Sequence, residues 1–272
     1  ANRRPIANRY GERMSAAPPP PRRPGFPARL PSLGHAQSSP SVRAAAPAAA
    51  PASGWGLDSA AVRQRMVQRL AAGGIQSPLV LQAMGQVPRH GFVDSALVAQ
   101  AYEDTSLPIG WQQTISKPSV VARMIELLLG APLAQQHGLG RVLEIGTGCG
   151  YQAAVLSQVA REVYSIERLR NLHEKSRSNL RPLRLANVHL LLGDGMLGYA
   201  QGGPYAGIIS AAGGQSLPQA WRDQLAVGGR LVAPVAQENG QQMLLVLERS
   251  EQGFTESVLE AVHFVPLKSG VA

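Results

Sequence analysis

Three acids and a run of glycines carry the chemistry this chain is equipped to do. Gly146-Thr147-Gly148-Cys149-Gly150 follows the apolar run Val142-Leu143-Glu144-Ile145, and Glu167 ends a second apolar run 21 residues beyond Gly146. Glycines let the backbone turn sharply out of a strand and approach a ligand with no Cβ in the way. A carboxylate at the end of the next strand can accept both ribose hydroxyl protons. The layout describes a nucleoside-binding site. Another acid stands in Gly193-Asp194-Gly195, after the apolar run His189-Leu190-Leu191-Leu192, where a third strand should end and an adenine could be held.

Glycine spacing decides which nucleoside. A dinucleotide fingerprint G-x-G-x-x-G starting at Gly146 needs its third glycine at position 151, which is Tyr151. The pattern G-x-G-x-G preceded by Glu144 suits S-adenosyl-L-methionine instead, a ligand with no pyrophosphate to seat and a methionine tail to accommodate. A glycine turn alone is often only a tight strand-to-helix connection. The register with Glu167 and Asp194 favours the cofactor reading.

The elements that must position these residues follow from periodicity. A helix from Leu57 repeats Val62, Met66 and Leu70 on one face and stops at Gly73-Gly74. Ser77 and Pro78 open a second helix, with Leu79 to Met84 as its body, and a short one is expected over about Ser95 to Tyr102. Leu107 to Pro118 is too polar and proline-punctuated for a core element and must be a loop or short ribbon. A helix over Pro118 to Leu129 follows, with Val120, Val121, Met124, Leu127 and Leu128 as its buried stripe. Ser116 reads most simply as a residue satisfying the first N–H groups of that helix.

Past Gly140, strands at 142–145, 163–167, 188–192, 207–211 and 230–235 alternate with helices near 151–159, 169–180 and 217–226. Such alternation makes a mainly parallel sheet sandwiched by helices. Gln242 to Arg249 and Phe254 to Val265, joined by Ser250-Glu251-Gln252-Gly253, make an antiparallel hairpin. The expected fold class is α/β: a doubly wound, mostly parallel sheet with an antiparallel C-terminal hairpin, N-terminal helices on one side and a disordered N-terminal tail.

That tail dominates the charge. Residues 1–54 contain 11 of the 21 prolines, eight arginines and one acid, Glu12, which places +7 of the formal +9 there. A segment so poor in periodic apolar residues cannot offset its ordering entropy. The domain expectation is a Pro/Ala/Arg-rich extension over 1–54 and one folded domain over 55–272, itself close to neutral. A basic pI carried by a floppy tail is weak evidence for nucleic acid, and no specific nucleic-acid partner is expected. No apolar stretch approaches the ~18 residues of a membrane span and no secretory signal is visible, so no membrane partner and a cytoplasmic location are expected. Cys149 is the single cysteine, and the six histidines are scattered; no metal site is expected.

Leu107-Pro108-Ile109-Gly110 with Gln113-Thr114-Ile115-Ser116, then Val121-Ala122-Arg123-Met124 and Val142 to Gln152, closely resemble bacterial protein-L-isoaspartate O-methyltransferases. The resemblance continues through Gly193-Asp194-Gly195, Gln224-Leu225, Gly228-Gly229-Arg230-Leu231 and the ending Ala261 to Leu267, and covers about residues 57–270. The Gln-Thr-Ile-Ser segment is specific to that family; the glycine loop is shared by methyltransferases of many substrates. It implies a Rossmann-like methyltransferase fold and methyl transfer from S-adenosyl-L-methionine to the α-carboxylate of isoaspartyl residues in damaged peptides and proteins. The ester so formed closes spontaneously to a succinimide, whose hydrolysis partly restores the aspartyl linkage. A monomer is expected.

By the same resemblance Ser116 belongs to the active site, as a hydrogen-bonding residue and not a covalent nucleophile. Gln113, Thr114 and Ile115 would cover the cofactor, with Glu144, Gly146, Gly148, Glu167, Asp194 and Gly195 completing its site. Ile109, Ala212 and Val265 would lie beside the substrate, and the strand Val262 to Leu267 would offer it backbone hydrogen bonds. Two positions depart from the family. Ala206 stands where an Asp is usual, and Ala211-Ala212-Gly213-Gly214 replaces a turn rich in Ala and Pro, so the glycines should loosen a loop beside the acceptor.

Other readings stay open. A nucleic-acid methyltransferase shares the cofactor fold, but adenine N-methylation usually uses an Asn/Asp-Pro-Pro-aromatic turn where this chain has Ser210-Ala211-Ala212-Gly213-Gly214, and Cys149 sits in the cofactor turn instead of at a cytosine. A methyltransferase of another small molecule, or a cofactor-binding module with lost activity, is the remaining alternative.

Overall fold

The computed structural model describes residues 60–272. The extension expected over 1–54, and the first residues of the helix expected from Leu57, lie outside the described residues. Two helices open the described chain, α1 (Ala60–Ala72) and α2 (Pro78–Gln86). Ser77 caps α2 as its sequence implies, accepting the Val80 N–H. The short helix expected near Ser95 is a 3₁₀ helix over Ser95–Gln100, preceded by a 3₁₀ turn at Arg89–Phe92.

The segment Leu107 to Ile115 is an antiparallel ribbon of β1 (Leu107–Gly110) and β2 (Gln113–Ile115). Its two-residue turn places Trp111 and Gln112 at φ 48° and 56°, the left-handed pair that a tight hairpin connection demands. Helix α3 (Pro118–Leu129) follows. Its buried stripe is Val121, Met124, Ile125 and Leu128, with Ala122 beside them. Val120 and Leu127 are only half-buried, so the expected face is rotated toward Ile125. A helix not read from the sequence, α4 (Pro132–His137), bridges to the sheet.

The sheet has seven strands in the order β5-β4-β3-β6-β7-β8-β9, comprising β3 (Leu139–Ile145), β4 (Ala160–Glu167), β5 (Val188–Leu192), β6 (Tyr205–Ser210), β7 (Leu225–Ala236), β8 (Gln242–Ser250) and β9 (Gly253–Val262). The first five pair in parallel and the last two are antiparallel additions at one edge. Helices α5 (Tyr151–Leu156) and α6 (Arg170–Leu180) follow β3 and β4, and α7 (Gln219–Gln224) precedes β7. The sheet strand β7 starts at Leu225, directly after α7, several residues earlier than expected. The terminal strand stops at Val262, three residues short of the expected Val265.

Alternate strand residues feed two cores. Val142, Val163, Ile209, Val232 and Leu244 face α1 to α6, whereas Leu143, Ile145, Ile208, Leu231 and Leu247 face Trp221 of α7 and Tyr205. Helical cover is therefore unequal, with the second face closed by one short helix and 3₁₀ turns. Strand order reverses direction at β3, between β4 and β6, and a doubly wound sheet opens a crevice at the carboxyl ends of such strands. Gly146 and Ala211 sit at that opening, close enough that a Cβ on Gly146 would meet the Ala211 Cβ at 3.6 Å. Among the described residues no helix is long and apolar enough to cross a membrane.

Candidate active site

The turn after β3 is fixed from both sides. Gly146 and Thr147 donate their N–H groups to the Ile166 carbonyl at 2.9 and 3.2 Å. The Glu167 carboxylate accepts the Gly148 N–H at 2.8 Å through Oε2 and the Leu169 N–H at 2.9 Å through Oε1. Gly146 and Gly148 have φ of 88° and 56°, a backbone that a side chain would strain. A Cβ on Gly148 would also stand 3.3 Å from Ile109 Cδ1, narrowing the space below the ribbon. Each carboxylate oxygen of Glu167 keeps lone-pair capacity beyond its backbone bond, so ribose hydroxyls can still donate to it.

These residues line a cavity of about 270 Å³. Of the residues expected at the site, Ile109, Gln113, Thr114, Ile115, Ser116, Gly146, Gly148, Glu167, Gly195, Ala212 and Val265 all line it. Glu144 and Asp194 do not. Glu144 is wholly buried beneath the turn, where it accepts a short hydrogen bond from Ser165 Oγ, itself 2.6 Å from Thr147 Oγ1. Burial pushes its carboxyl up to about 8, only partly opposed by the hydrogen bond from Ser165. Burial thus favours the protonated form of Glu144, which supports the turn from below.

Each carboxylate oxygen of Asp194 accepts one backbone N–H. Oδ1 accepts the Met196 N–H at 2.9 Å, and Oδ2 accepts the Gly270 N–H at 2.6 Å. It holds the C-terminal segment against the ends of β4 and β5, a segment also tied down by Arg168 Nε to the Gly270 carbonyl at 3.0 Å. No local pattern announces a contact between residues 76 positions apart. Cys149 is buried, and desolvation pushes its thiol up to about 11. Burial thus disfavours the reactive thiolate.

Ser116 follows β2 on the opposite wall. The expectation that it caps α3 is corrected: the N-cap position is Lys117, which makes no side-chain cap, and the Asp104 carboxylate accepts the Ser119 N–H and Oγ–H from outside the helix, each at 2.8 Å. Ser116 instead offers its carbonyl to Arg89 Nη2 at 2.7 Å. It lines the cofactor-side cavity and also a second, larger groove of about 860 Å³ that runs between α1, α3 and β9. The ribbon is held over the turn by Lys175 of α6, which donates to the Ile109 carbonyl at 2.9 Å and pairs with Asp94 at 3.0 Å.

The loop after β6 is not loosened by its glycines. Gly213 donates to Val265 and accepts from Leu267, both at 2.8 Å, and Gly214 bridges to β7 through Pro234 and Ala236. The segment after β9 has left the sheet to make this pairing. The Val265 carbonyl and Leu267 N–H are therefore occupied, and the expected backbone hydrogen bonds from Val262 to Leu267 are not free at those two groups. Gln242 completes the arrangement, accepting the Phe264 N–H at 2.7 Å and donating to its carbonyl at 3.2 Å.

A strand-reversal crevice, a bare-backbone turn and a ribose-ready acid together define a Rossmann-like, S-adenosyl-L-methionine-dependent methyltransferase. Comparison with known proteins narrows the class. Residues 61–272 match the family model for protein-L-isoaspartate(D-aspartate) O-methyltransferase. A protein-L-isoaspartate O-methyltransferase of Methylibium petroleiphilum is 60% identical over 219 residues, covering 80% of this chain and 81% of the relative. A solved protein-L-isoaspartate O-methyltransferase superposes with a TM-score of 0.69 at 28% identity, over 77% of this chain and 67% of that one. A Plasmodium falciparum protein described as the same enzyme, in complex with S-adenosyl-L-homocysteine, shares the fold with a TM-score of 0.63 at 24% identity, over 76% and 98% of the two chains. The chain belongs to the protein-L-isoaspartate(D-aspartate) O-methyltransferase family.

Proposed function

We propose that this chain methylates the α-carboxylate of L-isoaspartyl residues in polypeptides, with the cofactor between the Gly146 turn and the ribbon and the substrate entering along the groove beyond Ser116. One observation carries the division of labour: Ser116 lines both cavities, so it stands where donor and acceptor would meet. A groove of about 860 Å³ suits several residues of polypeptide better than a small acceptor.

When bound, S-adenosyl-L-methionine supplies an electrophilic methyl group on a sulfonium. The acceptor carboxylate is already ionised at pH 7, so no side chain has to remove a proton. The protein's task is placement. Glu167 takes the ribose hydroxyls, the turn at Gly146 and Gly148 lets the methionine portion come close, and Gly195 lies at the base side. Thr114 and its neighbours Gln113 and Ile115 exclude water from above. Ser116 donates its hydroxyl to the acceptor carboxylate, orienting one oxygen toward the methyl carbon; ordering of this kind is able to lower a barrier by several kcal/mol. Ile109, Ala212 and Val265 shape the walls around the acceptor.

Glu144 and Asp194 act indirectly, one by supporting the turn and one by anchoring the C-terminal segment. The protein works in the cytoplasm as a monomer, without a nucleic-acid partner. That last reading is supported by the near-neutral formal charge of residues 55–272. The deciding experiment compares methyl transfer to an isoaspartyl peptide and to its normal aspartyl twin. Base-labile methyl ester on the first alone is expected; equal labelling, or none, rejects the assignment. Incorporation into RNA by protein lacking residues 1–54 would revive the nucleic-acid reading.

A further inference from the structure

Arg89 is wholly buried, in the 3₁₀ turn after α2, and among the described residues no carboxylate forms an ion pair with it. Its Nε donates to the Ala101 carbonyl at 2.7 Å, and Nη2 donates to Ser116 at 2.7 Å and to Thr105 at 3.4 Å. Its Nη1 has no hydrogen-bond partner. The guanidinium carbon lies 4.7 Å from the centroid of the Tyr151 ring, which opens α5 directly after the glycine turn and lines the cavity.

A buried cation with no carboxylate in contact is costly, by several kcal/mol even after local relaxation, and Asp104 acts on Arg89 only at longer range. Burial lowers the pKa of Arg89 from its ordinary value, yet a guanidinium keeps its proton in proteins. Three backbone carbonyls account for the fork as a staple. What sets this cation apart is its two grips: Ser116 on the acceptor wall and Tyr151 on the cofactor wall.

We propose that Arg89 is a positioning residue for methyl transfer, fixing the separation of those two walls and, from behind Ser116, favouring an anionic carboxylate at the acceptor position. The forked guanidinium sets the geometry, and its charge acts through protein of low dielectric, where screening is weak. The two contributions are separable. Lysine keeps the charge and loses the fork, whereas methionine loses both.

The proposal rests on the methyl-transfer assignment, so unmodified protein is assayed first on the isoaspartyl peptide. No transfer there rejects that assignment, whereas transfer followed by indifferent variants rejects only the role of Arg89. Arg89→Lys and Arg89→Met are then compared for peptide kcat and KM, for S-adenosyl-L-homocysteine affinity by calorimetry, and for thermal melting. Arg89→Lys is expected to lose about tenfold in kcat with peptide KM within about threefold of the original. Arg89→Met is expected to show the same loss and, in addition, a KM raised about tenfold. Cofactor affinity stays within about threefold in both. Equal peptide KM in the two variants, or a kcat loss that parallels lost cofactor affinity, overturns the proposal. If Arg89→Met does not fold, folded Arg89→Lys with original kcat is sufficient to overturn it, and the tenfold loss at retained cofactor affinity supports it.

Discussion

Glu167 Oε2 accepts the N–H of Gly148 at 2.8 Å, so the acid that ends β4 holds the turn that ends β3. The same carboxylate is assigned to the ribose. Glu167→Ala should therefore weaken S-adenosyl-L-homocysteine binding at least about tenfold, given ~1.5–3 kcal/mol for a hydrogen bond to a charged group. Calorimetry measures it, and an unchanged Kd would remove Glu167 from the cofactor site.

Ser116 has no capping duty, because the Asp104 carboxylate takes the Ser119 N–H. Ser116→Ala should lower kcat on an isoaspartyl peptide by about tenfold through lost orientation, with cofactor affinity unchanged within about twofold. Turnover per folded molecule equal to that of the unaltered protein would leave Ser116 a structural residue.

Asp104→Ala should cost about 1 kcal/mol of stability, the usual loss of a side chain that satisfies a first-turn N–H, read as a lower urea midpoint at unchanged slope. An unaltered midpoint would mean that the Ser119 N–H is satisfied equally well by water.

Glu144 binds its proton more tightly in the folded chain, at about 8 against an ordinary 4.5, because burial disfavours the charged form. The sign follows from proton uptake on folding. This contribution is complete below about pH 4.5 and is lost as pH rises to about 8, amounting to several kcal/mol. The urea midpoint should fall between those values, and Glu144→Gln should flatten the fall. Parallel profiles for the two proteins would count against a neutral Glu144.

Gln242 holds Phe264 by two hydrogen bonds and lies beside Gly213. Gln242→Ala frees the segment that pins the loop after β6. Peptide KM should rise about threefold while cofactor Kd stays constant, since the loop belongs to the proposed acceptor wall and a lost hydrogen bond contributes about 1 kcal/mol. A change confined to cofactor Kd would place that loop on the wrong side of the site.

The glycine turn and Glu167 were legible because a parallel strand-helix-strand unit repeats at short range. Each strand end is marked by an apolar run and a polar stop, and neighbouring strands bring those ends together. Ser116 and the ribbon were legible as family-specific residues, and the resemblance also set them beside the Gly146 turn, where they line the same cavity. Asp104 as the acceptor for Ser119, fifteen residues away, carries no spacing signature, since its own neighbourhood is an irregular loop. Arg89 is equally silent: nothing in Pro88-Arg89-His90 distinguishes a buried arginine from a solvated one.

The alternation of strands and helices past Gly140, and the glycine turn with Glu167 ending the next strand, were readable from sequence alone, because periodicity and glycine conformations are local properties. The tertiary structure alone decided that Ser116 joins two cavities, that Glu144 lies beneath the turn, that Asp194 anchors the C-terminal segment, and that Gly213 is tied and not loose. Those outcomes depend on which buried polar groups find partners across the fold, and such pairing is chosen by packing between elements far apart along the chain.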